Sequence, residues 1–167
     1  MEQISRFSFE KYDGLYEKRP LLSSLFVDGQ NVQKKIHGFC IEAQYNCDDG
    51  YLVITSMDCP FEESNHFMLL DSEFNLLASA SLAVPYGSFL IHRHWAISSK
   101  AIRIHYGDEL FYTASIAPAF LGWRKRKRIV LVSDKNIASD PQALNAIRDQ
   151  KEQNVIWQQS QDGGAAD

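Results

Sequence analysis

The middle of the chain alternates between short apolar runs and clusters of turn-forming residues. The runs are rich in β-branched and aromatic side chains, which favour strands. They cover residues 36–43, 51–56, 66–70, 76–82, 89–97, 101–106, 110–116 and 129–132. Their spacing predicts a mainly β fold, an antiparallel barrel-like or sandwich domain of about eight or nine strands.

The clearest strand pair is predicted over residues 101–116. Gly107-Asp108 supplies a two-residue turn with glycine first, whose twist suits antiparallel strands. On the first arm Ile102, Ile104 and Tyr106 share one face, as expected for a half-buried strand. The same alternation elsewhere predicts a core that includes Leu52, Ile54, Phe67, Leu69, Phe89, Ile91, Ile102, Ile104, Leu110 and Tyr112.

The pattern changes near the C-terminus. Asp140-Pro141 places a good capping residue before a proline suited to the first helical position. Leu144 and Ile147 follow at helical spacing, which predicts one C-terminal α-helix over 141–158 that packs on the β-body through these two side chains. Residues 159–167 have too little apolar surface to offset the cost of ordering, and we expect them to be disordered.

Length and composition are those of an ordinary globular domain. The 167 residues are 45% hydrophobic and 23% charged, which excludes wholesale disorder. We expect a single β-rich domain over 1–158, with 1–34 as a lead-in that packs on the sheet and 35–134 as the β-core. Neither a secretory signal nor an apolar run near the ~20 residues of a membrane span is visible, so we expect a cytoplasmic protein without a membrane partner.

Charge is unevenly distributed along the chain. Five consecutive bases occur at Arg124, Lys125, Arg126, Lys127 and Arg128. The rest of the chain has 12 basic and 21 acidic residues, which gives it a formal net charge of −9. Beside Trp123, this stripe has three interpretations: a docking surface for an acidic protein, a nucleic-acid site in which the indole stacks on a base, or a charged stretch that protects a sheet edge.

The acidic remainder of the chain disfavours nucleic acid. We therefore expect a small soluble non-enzymatic binding or regulatory protein that contacts another protein through residues 123–128.

Two histidines suggest an alternative function. His92 and His94 are two residues apart in the predicted strand 89–97, so both rings should lie on one face. With His105, His66 or a carboxylate as third ligand they would form an open metal site. The alternative is therefore a small β-barrel metal-binding protein or metalloenzyme centred on His92 and His94. Alternating polar residues are also typical of a strand's solvated face.

Other chemistry finds little support in the sequence. Motifs of nucleotide-binding loops, zinc proteases and serine hydrolases are missing. Cys40, Cys47 and Cys59 are expected to be reduced thiols. Cys59 precedes His66 in an acidic segment that we interpret as an ordinary loop, because nothing around it resembles a nucleophile signature. The sequence predicts no catalytic residue and no cofactor.

Overall fold

Three antiparallel sheets and one C-terminal helix make up the protein, seen in a computed structural model that describes residues 1–15, 18–57, 64–83, 89–107, 109–121, 124–135 and 137–162. The strands are β1 (Glu2–Gln3), β2 (Phe7–Phe9), β3 (Leu22–Val27), β4 (Gln30–His37), β5 (Cys40–Cys47), β6 (Gly50–Ser56), β7 (Asn65–Leu70), β8 (Leu76–Leu82), β9 (Arg93–Ser98), β10 (Ala101–His105), β11 (Phe111–Leu121) and β12 (Arg124–Asp134). The helix is α1 (Pro141–Asp162). The predicted fold class is confirmed.

The sheets are sandwich-like and do not close into a barrel. The central sheet has the order β1-β5-β6-β7-β8, the helix-side sheet β12-β11-β10-β9, and the N-terminal sheet β2-β3-β4. Neighbouring strands pair antiparallel throughout. The predicted lead-in 1–34 thus forms strands of its own, and the described part of the chain holds no helix long and apolar enough to cross a membrane.

The middle strands of the central sheet, β6 and β7, are buried on both faces. On one face Leu52 and Ile54 join the core shared with the helix-side sheet. On the other, Val53 packs with Leu25 and Ile36 of the N-terminal sheet. This double burial explains why β6 reads as a continuous apolar run, as strands covered on both faces do.

Several predicted strands have different bounds in the structure. The strand expected over 129–132 covers Arg124–Asp134, so the five consecutive bases lie within it. The run 36–43 is interrupted because β4 ends at His37 and β5 starts at Cys40. Gly38 lies between them with a φ of 103°, and a Cβ there would overlap the Thr55 side chain. The strand expected over 89–97 starts only at Arg93.

Seven of the ten predicted core residues are buried: Leu52, Ile54, Phe67, Leu69, Phe89, Ile102 and Ile104. Ile91 and Tyr112 are half-buried against the same core. The prediction for Leu110 was wrong, since its side chain is 39% exposed. Its backbone N–H donates to the Gly107 carbonyl within the turn, so β11 begins one residue later, at Phe111.

The helix starts as predicted but packs differently. Ala143 and Ala146 are buried and Ile147 is half-buried, whereas Leu144 is 50% exposed, so its predicted packing role was wrong. The helix continues past residue 158 to Asp162; the rest of the predicted disordered tail, 163–167, lies outside the described residues.

Candidate binding arm and histidine groove

The five consecutive bases lie on a two-stranded extension of the helix-side sheet. β11 and β12 pair from Phe111–Asp134 to Leu121–Arg124, but β10 pairs with β11 only as far as Ser115. The segment beyond it, residues 117–121 paired with 124–128, is named the basic arm. Pro118 within it lacks an N–H donor, which makes the uncovered edge of β11 a poor template for another strand.

The described bases of the arm divide into two groups. Lys127 is half-buried, and its Nζ lies 2.6 Å from Asp49 Oδ1 in the turn between β5 and β6. Arg126 and Arg128 are exposed, and among the described residues neither has an acidic side chain within ion-pair distance. Alternation along β12 puts both on one face, about 7 Å apart along the strand. Lys127 therefore fastens the arm while the two guanidinium groups reach solvent.

Part of the predicted binding stripe lies outside the described residues: Trp123 altogether, and the side chains of Arg124 and Lys125, whose backbones belong to β12. Guanidinium groups are suited to carboxylates because their planar fork donates two parallel hydrogen bonds. The described part of the arm can therefore hold an anionic surface through two adjacent forks.

The predicted metal-binding histidines have separate surroundings. His94 on β9 pairs with Ile104 in the sheet, and its Nδ1 lies 2.6 Å from the Tyr45 hydroxyl. His105 is fully buried and stacks on Phe111, with ring centres 4.5 Å apart. His92 precedes β9, and its ring centre lies 5.8 Å from that of His105. In the described part of the chain no three His, Cys, Asp or Glu side chains are placed to hold a metal ion, so the metal site stays a prediction without structural support.

Tyr45 determines which nitrogen of His94 carries the proton. Tyr45 is 1% exposed, and this burial raises the pKa of its hydroxyl to about 12, so it is protonated at neutral pH. A hydroxyl so deeply buried needs an acceptor, and His94 Nδ1 supplies it. Burial also lowers the pKa of His94, with the charge of Glu42 acting in the opposite direction. Neutral His94 therefore carries its proton on Nε2.

His92 and His94 both line one groove, of about 470 Å³, named the histidine groove. It lies where β1 of the central sheet approaches β9, beside the first turns of α1. The lining residues are Gln3, His92, Arg93, His94, Trp95, Gln142 and Asn145. The Met1 ammonium group donates to the Ser98 carbonyl at 2.8 Å, which ties β1 to the far end of β9.

Sequence reasoning missed most of this groove. Gln3, Gln142 and Asn145 are ordinary surface residue types, and no local signal connects Tyr45 with a histidine 49 positions away. The segment containing Cys59 lies outside the described residues. Cys47 donates to the Gly50 carbonyl at 3.3 Å, and burial raises the pKa of its thiol, which leaves it a weak nucleophile.

Comparison with known proteins finds no matching family model, no significantly similar curated protein and no significantly similar solved structure.

Proposed function

We propose that this chain is a small soluble cytoplasmic binding protein, without enzymatic activity, that docks an acidic surface of a partner protein through the basic arm. The observation that carries the proposal is the exposure of Arg126 and Arg128 on an arm fastened by the Lys127–Asp49 ion pair. An anchored arm loses little freedom on binding, so two guanidinium forks can be presented to carboxylates at low entropic cost.

A protein surface fits the arm better than nucleic acid does. The chain outside the five bases has a formal charge of −9, and Asp48 and Asp49 lie at the turn that Lys127 contacts. A long polyanion would meet this acidic body as soon as it extended past the arm. A carboxylate patch of limited size can contact the arginines and avoid the rest. Opposite charges on arm and patch would also speed association.

The proposal can be tested with a fluorescent polyglutamate peptide and a single-stranded oligonucleotide of equal charge. We expect saturable peptide binding at low ionic strength, followed by anisotropy. Binding should weaken as salt rises, since exposed charges are screened over ~10 Å at 0.1 M. Arg126→Ser/Arg128→Ser should abolish it and leave the free energy of unfolding within about 1 kcal/mol of wild type.

The matched control is Lys35→Ser/Lys151→Ser, which removes the same charge from two exposed positions outside the arm. It should bind the peptide as wild type does. Equal loss of peptide binding in the control would show that binding depends on the net charge of the protein and not on the arm. A clear preference for the oligonucleotide would make the arm a nucleic-acid site, and either result would overturn the proposal.

A further inference from the structure

The histidine groove combines several hydrogen-bond donors, and none of the described residues that line it is acidic. Gln3, Gln142 and Asn145 carry side-chain amides, and Arg93 carries a guanidinium group. Asp140 already accepts from the backbone N–H groups of Gln142 and Ala143, so the helix terminus itself offers the groove little. The donors available to a ligand are therefore side chains.

His94 is the best-defined of these donors. Its Nδ1 is engaged by the buried Tyr45 hydroxyl, so Nε2 is the ring nitrogen left for the groove. A buried partner on one nitrogen of a histidine sets both the ring orientation and the tautomer. The Tyr45–His94 pair therefore presents an oriented N–H to whatever occupies the groove.

Two further side chains that line the groove are each held by an acidic residue. Arg93 Nη2 lies 2.7 Å from Asp149 Oδ2 on α1, which steadies the guanidinium group at the groove wall. The Trp95 indole N–H donates to Asp140 Oδ2 at 3.3 Å, so the ring is fixed and offers the groove its apolar surface. Donors beside an immobilised aromatic ring suit a ligand with an anionic end and an apolar end.

We infer that the histidine groove binds a small carboxylate-bearing molecule, with the carboxylate accepting from His94 Nε2–H and the side-chain amides and the apolar part lying against Trp95. A volume of about 470 Å³ is within the range of small-molecule sites. The inference does not depend on the basic arm or on the proposed partner.

Benzoate is the probe, and benzamide is its uncharged isostere. In spectra of the histidine side-chain nitrogens, wild type should show Nε2-protonated His94, and benzoate should shift its resonances saturably. We expect a dissociation constant on the order of 1 mM, with benzamide weaker by about tenfold or more. His94→Phe should weaken benzoate by about tenfold or more, measured by calorimetry.

Two further variants keep the test independent of folding. Gln142 and Asn145 are exposed on α1, so Gln142→Ala/Asn145→Ala should leave stability unchanged and weaken benzoate. The control His66→Gln alters a histidine that is hydrogen-bonded to Ser81 on β8 and should bind as wild type does.

Three results would overturn the inference. They are the absence of saturable benzoate shifts, equal binding of benzamide, and unchanged benzoate binding in both His94→Phe and Gln142→Ala/Asn145→Ala. The last part of the test is the addition of Zn²⁺ alone. Stoichiometric zinc binding through His92 and His94 that excludes benzoate would make the groove a metal site instead.

Discussion

Arg103 and Asp140 form an ion pair that joins the helix-side sheet to helix α1, and their side chains are only 14% and 15% exposed. The same guanidinium lies 2.5 Å from Asp134 Oδ2, which also accepts from the Thr113 hydroxyl. Asp140 accepts from the Gln142 N–H at 2.9 Å, so one carboxylate caps the helix and fastens it to the sheet.

Asp140→Ala should therefore cost more than the loss of a helix cap. A cap alone contributes ~1 kcal/mol, and a hydrogen bond to a charged group adds ~1.5–3 kcal/mol. Because Arg103 keeps Asp134 as a partner, we expect a loss of about 2–3 kcal/mol in urea unfolding. Asp140→Asn keeps the cap and should lose less. If Asp140→Ala lowers the free energy of unfolding only by the amount expected for a lost cap, the ion pair makes no net contribution to stability.

Acid should weaken the same junction. Burial alone would raise the pKa of Asp140, but hydrogen bonds from Arg103 and from the backbone N–H groups of Gln142 and Ala143 outweigh it and lower the pKa below its usual value near 3.8. A carboxyl with a lowered folded pKa stabilises the protein above its unfolded pKa, and that contribution is lost as pH falls through the folded pKa. Unfolding followed below pH 4 should show a smaller acid-induced loss in Asp140→Ala than in wild type.

Two histidines should make the stability of the fold depend on pH in a less acidic range. Burial lowers the pKa of His94, and burial together with the charge of His37 lowers the pKa of His66. Because the unfolded chain then binds protons more readily, stability is complete above about pH 6.5 and declines as pH falls below it. His66→Gln/His94→Gln should flatten the free energy of unfolding between pH 7 and pH 5. An unchanged slope would mean that these rings titrate normally in the folded protein.

Helix packing gives a contrast between neighbouring residues. Ala146 is 1% exposed, and Leu144 is 50% exposed. Ala146→Leu should force the helix outward and cost ~1–3 kcal/mol, the usual range for overpacking. Leu144→Ala should stay within about 0.5 kcal/mol. If Leu144→Ala destabilised the protein more than Ala146→Leu in thermal unfolding, Leu144 would belong to the packed face of the helix, as its spacing in the sequence had indicated.

Alanine substitutions at two turn glycines should also differ in their cost to stability. Gly29 and Gly50 have φ of 81° and 126°. A Cβ at Gly29 meets nothing within 4 Å, so Gly29→Ala should cost only the ~1–2 kcal/mol of a left-handed residue. At Gly50 it would overlap the Leu70 carbonyl oxygen, so Gly50→Ala should be several times more harmful in the same urea assay. Equal costs would show that β7 shifts freely.

The sequence predicted much of the fold but little of its layering. Alternation placed Ile54 and Phe67 correctly in one core. It did not reveal that Val53 and Met68 are buried as well, because the strands that cover them, such as β4, have a mixed pattern with mostly exposed positions. Two-sided burial depends on which distant strands stack, and period-2 patterning carries no such information.

The candidate sites were predicted to a similar degree. The bases of the arm were evident from composition, but not that Lys127 turns to Asp49. His92 and His94 were evident from their spacing, but their chemistry depends on Tyr45 and on a helix residue such as Gln142. Contacts between distant segments decide these surroundings, and a single sequence does not specify them.

The central sheet has a consequence for hydrogen exchange. β6 is hydrogen-bonded to β5 on one side and to β7 on the other, while its two faces lie in separate cores. Its amides can meet solvent only when both coverings detach, so they should exchange at the rate of global unfolding. A change that destabilises one outer sheet should therefore also destabilise the other through β6. The three sheets should unfold as one cooperative unit.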